Sequence, residues 1–186
     1  MWFEITVEDL RMRSVQEQGV IWDYYKPRHT HAWNMLVLSW RELDQIADTA
    51  DEMARGFEVE YHWENFIIRL WLYRTTVRTL RKLSPVESAT DHAVAKFDNT
   101  FQINGHNGLK ALRDMIEHFD DYAAGVGRGP ATREGDLDPF RHFTKVVYQR
   151  GQFSLERTTA YKAAIQLRED VTDLSKRFID WFHANK

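Results

Sequence analysis

The chain of 186 residues contains no cysteine. That absence excludes disulfides, thiolate catalysis and metal sites with cysteine ligands. The sequence also lacks an apolar run near the roughly 20 residues that a membrane-spanning helix needs. Its first residues, Met1 to Asp9, lack the basic start and long apolar stretch of a signal peptide. We therefore expect a cytoplasmic protein that does not bind a membrane.

A strong net charge is also lacking, since 25 basic residues face 28 acidic ones and leave a formal charge of −3 at pH 7. Binding to nucleic acid would therefore need a local basic face. Aromatic residues are plentiful, with 7 Trp, 7 Tyr and 11 Phe. Because large aromatic side chains dominate burial, this composition predicts an aromatic-rich core, and the length suits one domain over residues 1–186.

Helical patterns dominate the chain. Apolar residues at three- and four-residue steps predict six helices, over about 8–25, 31–55, 58–83, 84–104, 107–125 and 158–184. Pro27 is expected to end the first helix, Thr30 to cap the second, and Gly56 to follow the second helix. Ser84 and Glu87 predict a capping box at the start of the fourth helix.

One short β-hairpin is predicted before the last helix. Segments 143–149 and 152–156 contain β-branched and aromatic residues on both sides of a tight turn at Arg150 and Gly151. Residues 125–139 form a glycine-rich loop, but no strand precedes the glycines and no Gly-Lys-Ser/Thr follows, so a nucleotide-binding loop is rejected. The fold class is therefore all-α, a bundle of five or six helices with one short β-hairpin before the last helix.

Basic residues gather in the second half of the helix predicted over 58–83. Arg74, Arg78 and Arg81 fall on one helix face. One interpretation is a solvated face that pairs with acidic residues elsewhere. The other is a patch that binds RNA phosphates.

Metal and nucleophile chemistry have little support in the sequence. His29 and His31 are two residues apart, which does not place both on one helix face, and there is no His-Glu-x-x-His motif. Asp114 and His118 are one turn apart, but two ligands do not make a metal site. No Gly-x-Ser-x-Gly motif is present. We therefore expect neither a metal nor a cofactor.

The helix predicted over 107–125 carries the one short group of residues whose side chains are suited to catalysis. Asn107 is its expected N-cap and Gly125 its expected end. Its core face is formed by apolar residues at three- and four-residue steps, namely Leu109, Leu112, Ile116, Phe119 and Ala123. Arg113, Asp114 and His118 lie away from that face.

This Arg-Asp-x-x-x-His pattern resembles the signature motif of the HEPN superfamily (higher eukaryotes and prokaryotes nucleotide-binding domain). That motif is an arginine, then Asn, Asp or His, then a histidine a few residues on, in a late helix of an α-helical bundle. The resemblance implies a metal-independent endoribonuclease or an RNA-binding relative. It also implies a homodimer whose two motifs face each other across a cleft. Some toxin members have a tyrosine two residues beyond the histidine, where this chain has Asp120.

Metal-free RNA cleavage needs a base for the 2′-hydroxyl proton and a cation for the phosphorane charge. His118 suits the first role, Arg113 the second, and Asp114 can orient one of them. Five residues of helix place Arg113 and His118 about 140° apart, so only the length of arginine or a local distortion brings them together. The structural alternative is a surface pair between Arg113 and Glu117, with His118 a surface histidine.

A non-enzymatic interpretation stands beside the first. The excess of aromatic residues, the wide apolar face around Trp63, Ile67 and Trp71, and the hairpin edge favour an α-helical protein-interaction or regulatory module with a partner protein.

Overall fold

The computed structural model describes residues 14–46, 52–118 and 141–186. These ranges contain five α-helices: α1 (Val15–Gln45), α2 (Glu52–Arg78), α3 (Glu87–Asn99), α4 (Gly108–Glu117) and α5 (Arg157–Asn185). They also contain five short strands: β1 (Gln102–Ile103), β2 (His106–Asn107), β3 (Arg141–Phe143), β4 (Val147–Arg150) and β5 (Phe153–Glu156). Two 3₁₀ helices, Thr79–Lys82 and Ser84–Val86, join α2 to α3.

The expected all-α bundle with a small antiparallel sheet before the last helix is confirmed. The predicted hairpin is β4 with β5, in which Arg150 lies opposite Phe153 and Gly151 adopts a positive φ of 57° in the turn. β3 adds a third strand to β4, with Phe143 opposite Tyr148. The buried Tyr148, Phe153 and Leu155 pack the sheet against the helices, as a marginal hairpin requires.

One continuous helix, α1, replaces the two helices predicted on either side of Pro27. The prediction that Pro27 ends a helix was therefore wrong. A proline inside a helix costs about 3 kcal/mol, because it removes one hydrogen bond and its ring clashes with the preceding turn. Trp22 and Tyr25 before it, and Trp33 and Leu36 after it, are all buried. Each such side chain gains about 1.5–3 kcal/mol on burial, so packing outweighs the proline.

The expected end signals around α1 also differ from the structure. Thr30 does not cap a helix, because its hydroxyl donates to the carbonyl of Lys26 within α1, at 3.1 Å. The capping box is instead at Ser14 and Glu17, where the backbone N–H of Ser14 donates to the Glu17 carboxylate at 2.8 Å. Gly56 lies inside α2 and does not follow a helix end, since glycine at ordinary helical dihedrals only lowers helix propensity.

The capping box predicted at Ser84 and Glu87 is absent, and that prediction was wrong. The Ser84 hydroxyl donates to Oε1 of Gln18 on α1 at 3.2 Å, so a tertiary contact replaces the local one. Val86 precedes α3 without a side-chain cap, and the 3₁₀ turn before it supplies the start.

α2 is the central helix of the bundle. It contacts α1, α3, α4, α5 and β3. Trp63, Ile67 and Tyr73 on α2 are fully buried, and Trp71 is half-buried. The wide apolar face predicted for this helix is thus covered mainly by its own neighbours in the chain.

α4 begins as predicted, at Asn107, whose side chain accepts a hydrogen bond from the backbone N–H of Lys110 at 2.9 Å. The turn before it contains Asn104 and Gly105, both with positive φ, and closes the β1–β2 hairpin. α4 ends at Glu117, with His118 as its C-cap. The helix predicted to run without a break to Gly125 is therefore interrupted at His118, whose φ of −120° and ψ of 39° are not helical. The predicted core residues Phe119 and Ala123, the 125–139 loop and residues 1–13 lie outside the described residues.

Candidate functional site

Arg113 is held on α4 by two carboxylates and an indole ring. Its guanidinium pairs with Asp114, with 2.9 Å between Nη2 and Oδ1, and with Glu117 one turn on. It also lies over the ring of Trp71 on α2, 4.9 Å from the ring centroid. This combination satisfies the charge of Arg113 with acidic groups. An incoming phosphate would compete with those carboxylates for the guanidinium donors.

Asp114 and His118 are placed differently. Asp114 is mostly buried and accepts a hydrogen bond from Lys110 Nζ at 2.6 Å as well as pairing with Arg113. His118 is exposed at the helix end, and its backbone N–H donates to the carbonyl of Asp114 at 3.0 Å. Among the contacts of the described residues, none joins the His118 side chain to Arg113 or Asp114. The structure therefore brings two of the three motif residues together within one chain.

The three arginines predicted as an RNA-binding patch have three different environments. Arg74 is buried, its Nε donates to Asp98 Oδ1 at 3.0 Å, and it lies over Trp71 at 4.9 Å from the centroid. Arg81 faces Asp91, with 3.6 Å between Nε and Oδ1. Arg78 is exposed. Two of the three thus pair with acids from α3, and Arg78 is the one whose guanidinium is open to a ligand.

An aromatic cluster between α1, α2 and α5 was missed by the sequence analysis. His29 Nε2 lies 3.1 Å from the Tyr73 hydroxyl, and the His29 ring stacks on Tyr25 at a centroid distance of 5.6 Å. Trp33 packs on Tyr73, and Arg168 of α5 lies over the Trp33 ring at 4.5 Å. The available signal was the four-residue step from Tyr25 to His29 to Trp33, but its partners come from distant helices.

The titratable groups of this cluster are shifted towards their neutral forms. Burial, and then the charge of Arg168, lower the pKa of His29 to about 4. Burial raises the pKa of Tyr73, an effect that Arg168 partly opposes. Burial and the neighbouring Tyr73 raise the pKa of Tyr25 well above its usual range. A general acid or base works best with a pKa near the operating pH, so this cluster suits packing better than proton transfer at pH 7.

Within the ranges 14–46, 52–118 and 141–186, no three His, Asp or Glu side chains are grouped as metal ligands. In the same ranges, no helix combines the length and the apolar character that crossing a bilayer requires.

Helices α1 and α2 carry most of the exposed large apolar side chains of the described residues. Nine large apolar side chains are exposed among the described residues, and six of them lie on these two helices: Val20, Tyr24, Leu38, Phe57, Tyr61 and Leu72. Within each helix, these residues are separated by sums of three- and four-residue steps. They therefore lie along one stripe of that helix. The remaining three, Val146, Ile165 and Ile179, lie elsewhere.

Two adjoining cavities of about 360 and 470 Å³ lie between α1 and α2, and of the six exposed side chains Tyr24 and Leu72 line them. They share Arg28, Leu72 and Thr76, and so form one groove between α1 and α2, which we call the α1/α2 groove. The Thr76 hydroxyl donates to the carbonyl of Leu72 at 2.8 Å, and that of Thr79 donates to the carbonyl of Thr76 at 2.7 Å. These hydroxyls are occupied within the helix, so the groove surface is mainly apolar.

The rim of the α1/α2 groove is basic. Arg28, Arg69 and Lys82 line it, together with His31. No Asp or Glu is among the described residues that line either cavity. The groove is therefore positive on a chain whose net charge is −3.

Comparisons with family models, with curated proteins and with solved structures find no match to this chain.

Proposed function

We propose that this chain is a non-enzymatic α-helical protein-interaction module that binds a partner protein at the α1/α2 groove. The observation that carries the proposal is that six of the nine exposed large apolar side chains of the described residues lie on these two helices, and two of them, Tyr24 and Leu72, line the α1/α2 groove. Apolar patches of this kind, rimmed by polar residues, mark interaction surfaces on soluble domains. The basic rim of the α1/α2 groove supplies the polar border.

The candidate chemical groups favour binding over catalysis. Glu117 occupies the Arg113 guanidinium, and the pKa of His29 lies far below neutral pH. Both side chains are engaged within the fold, and neither is poised to act on a substrate.

Leu72 and Ile179 offer a matched pair for a test, because each side chain is 43% exposed. Leu72 lies in the α1/α2 groove and Ile179 lies on α5. We expect Leu72→Asp to remove the partner that co-purifies with the tagged chain, because a carboxylate resists burial in an apolar interface. Ile179→Asp is expected to retain that partner. Equal retention by both variants, each shown to be folded by circular dichroism, refutes the proposal.

A second candidate function is a HEPN-like homodimeric endoribonuclease or RNA-binding protein. The contact of 2.9 Å between Arg113 and Asp114 favours it, because the acid then orients the arginine that would bind phosphate. His118 is exposed and accessible to a second copy or to RNA, and Arg78 provides a further exposed cation. In this interpretation phosphate replaces Glu117 as the partner of Arg113.

Structured RNA incubated with the wild-type chain, Arg113→Ala and His118→Ala tests this second candidate. Cleavage by the wild-type chain and a loss of at least a hundredfold in each variant would support it, since each residue would serve the reaction directly. Indistinguishable behaviour of the three proteins would eliminate catalysis through the motif. Titration of the same RNA against Arg78→Ala tests whether that arginine contributes to binding.

A further inference from the structure

The α1/α2 groove has the length of a short helix. Its lining runs on α1 from Ile21 to Met35, which are 14 residues apart in the sequence. At 1.5 Å per residue this spans about 21 Å, or four helical turns. The walls are themselves two α-helices, a geometry in which a third helix packs its side chains into the grooves between ridges. An extended strand would find no open sheet edge here to supply its backbone hydrogen bonds.

The charge of the groove also restricts which kind of partner can bind there. Arg28, Arg69 and Lys82 border an apolar floor, and no carboxylate of the described lining offsets them. Arg69 donates to the neutral amide of Asn65 at 3.3 Å, and no carboxylate of the described residues pairs with it. Arg28 and Lys82 are exposed and have no ion pair among the described residues. A ligand with acidic flanks therefore meets complementary charge on both walls.

A second copy of the chain fits this surface poorly. In a two-fold dimer through this face, the same patch meets itself. Arg28, Arg69 and Lys82 of each copy would then face the same cations of the other copy. Like charges across an interface are unfavourable, so the occupant is a different protein.

We infer that the α1/α2 groove binds an amphipathic helix of about four turns from a partner protein, with leucine-like residues on one face and Asp or Glu on its flanks. This inference rests on the proposed function and specifies the partner class. The apolar face of the ligand covers Leu72, Ile21 and Met35. Its acidic flanks lie beside the rim cations.

Two labelled peptides of about 15 residues test the inference. Both carry leucines at three- and four-residue steps and differ only in having glutamate or lysine on the flanks. We expect the acidic peptide to bind the full chain about tenfold more tightly at low salt, because three exposed ion pairs together give roughly that factor. High salt is expected to reduce the difference. Fluorescence anisotropy measures both affinities.

Variants of the chain test which residues bind the peptides. Leu72→Asp is expected to abolish binding of both peptides, and Ile179→Asp to leave both affinities unchanged. The double variant Arg28→Glu/Lys82→Glu is expected to reverse the preference in favour of the lysine peptide. These two side chains are exposed, so their exchange should leave the fold intact.

Equal affinities, a preference for the basic peptide or no binding of either peptide would overturn the inference. So would a concentration-dependent dimer that Leu72→Asp dissociates, or displacement of the acidic peptide by single-stranded RNA. If the cellular partner is still lost in Leu72→Asp while the peptides show no acidic preference, the proposed function stands and only the partner class is wrong. If Leu72→Asp and Ile179→Asp retain the partner equally, the proposed function itself falls.

Discussion

The Nε2 atom of His29 lies 3.1 Å from the hydroxyl oxygen of Tyr73, and this contact joins α1 to the central helix α2. The histidine is four residues from Tyr25, on which its ring stacks. Arg168 from α5 adds positive charge to the same cluster and lies over Trp33. Burial and that charge lower the pKa of His29 to about 4, so the imidazole is neutral at pH 7.

A dependence of stability on pH follows for His29. The unfolded chain takes up the imidazole proton near pH 6.5 and the folded chain only near pH 4. The free energy of unfolding is therefore unaffected above pH 6.5 and falls as the pH decreases from 6.5 to 4, because the unfolded state binds the proton first. We expect this one residue to account for about 2 kcal/mol, a figure reduced for its partial exposure.

His29→Gln provides the comparison, since glutamine can form a hydrogen bond but does not titrate. Urea unfolding of both proteins between pH 7.5 and pH 4 measures the effect. The stability of the wild-type chain should fall more steeply than that of the variant over this range. Parallel pH profiles for the two proteins would show that His29 is not shifted as described.

The buried pair of Arg74 and Asp98 is expected to be structural. The side chains of these residues are only 10% and 19% exposed, and Arg74 also lies over Trp71. Removing one partner of a buried pair leaves the other charge uncompensated, so Arg74→Ala should lower the free energy of unfolding by about 3 kcal/mol. Arg74→Ala/Asp98→Ala should cost less than the sum of the single changes. Chemical denaturation measures each variant.

Arg78→Ala is the matched control for that experiment, because Arg78 lies one turn further along α2 and is exposed. Its removal should change the free energy of unfolding by less than about 0.5 kcal/mol. Equal losses in Arg74→Ala and Arg78→Ala would contradict the assigned role of the buried pair.

Alanine substitutions at two glycines should change the free energy of unfolding in opposite directions. Gly56 lies within α2, and a Cβ added there meets nothing within 4 Å, so Gly56→Ala should stabilise the chain by about 1 kcal/mol. Gly105 has a φ of +80° in the β1–β2 turn, where an L side chain is strained, so Gly105→Ala should destabilise it by about 1 kcal/mol. Thermal unfolding of the two variants checks the signs, and a shift of the same sign in both would be inconsistent with these backbone assignments.

The fold class was predictable because apolar periodicity is a local signal. The long stripe of α5, from Ala160 to Phe178, and the cap of α4 at Asn107 both depend on residues close in sequence. The predictions for Pro27 and Ser84 were wrong because contacts distant in sequence decide the structure at both positions. At Pro27, burial of Trp22 and Trp33 against other helices outweighs a local rule, and at Ser84 a distant acceptor, Gln18, replaces the local cap.

The same distinction between local signals and contacts distant in sequence applies to the candidate site. That Arg113 pairs with Glu117 along one helix was predictable from their four-residue spacing. That Arg74 lies over Trp71 is a local contact between residues three apart on one helix. That Arg113 lies over the same ring depends on the packing of α2 against α4, which no local pattern contains. The α1/α2 groove was equally hidden, because the sequence does not show which apolar stripe of a helix the rest of the bundle leaves uncovered.

The central claim is that the α1/α2 groove binds a partner protein. A photo-crosslinking amino acid placed at position 72, and separately at position 179, tests it in the intact cell, since both sites have the same exposure of 43%. We predict a covalent adduct with a distinct partner protein from position 72 and none from position 179. Equal adduct yields at the two positions, or no protein adduct at position 72, would contradict the claim.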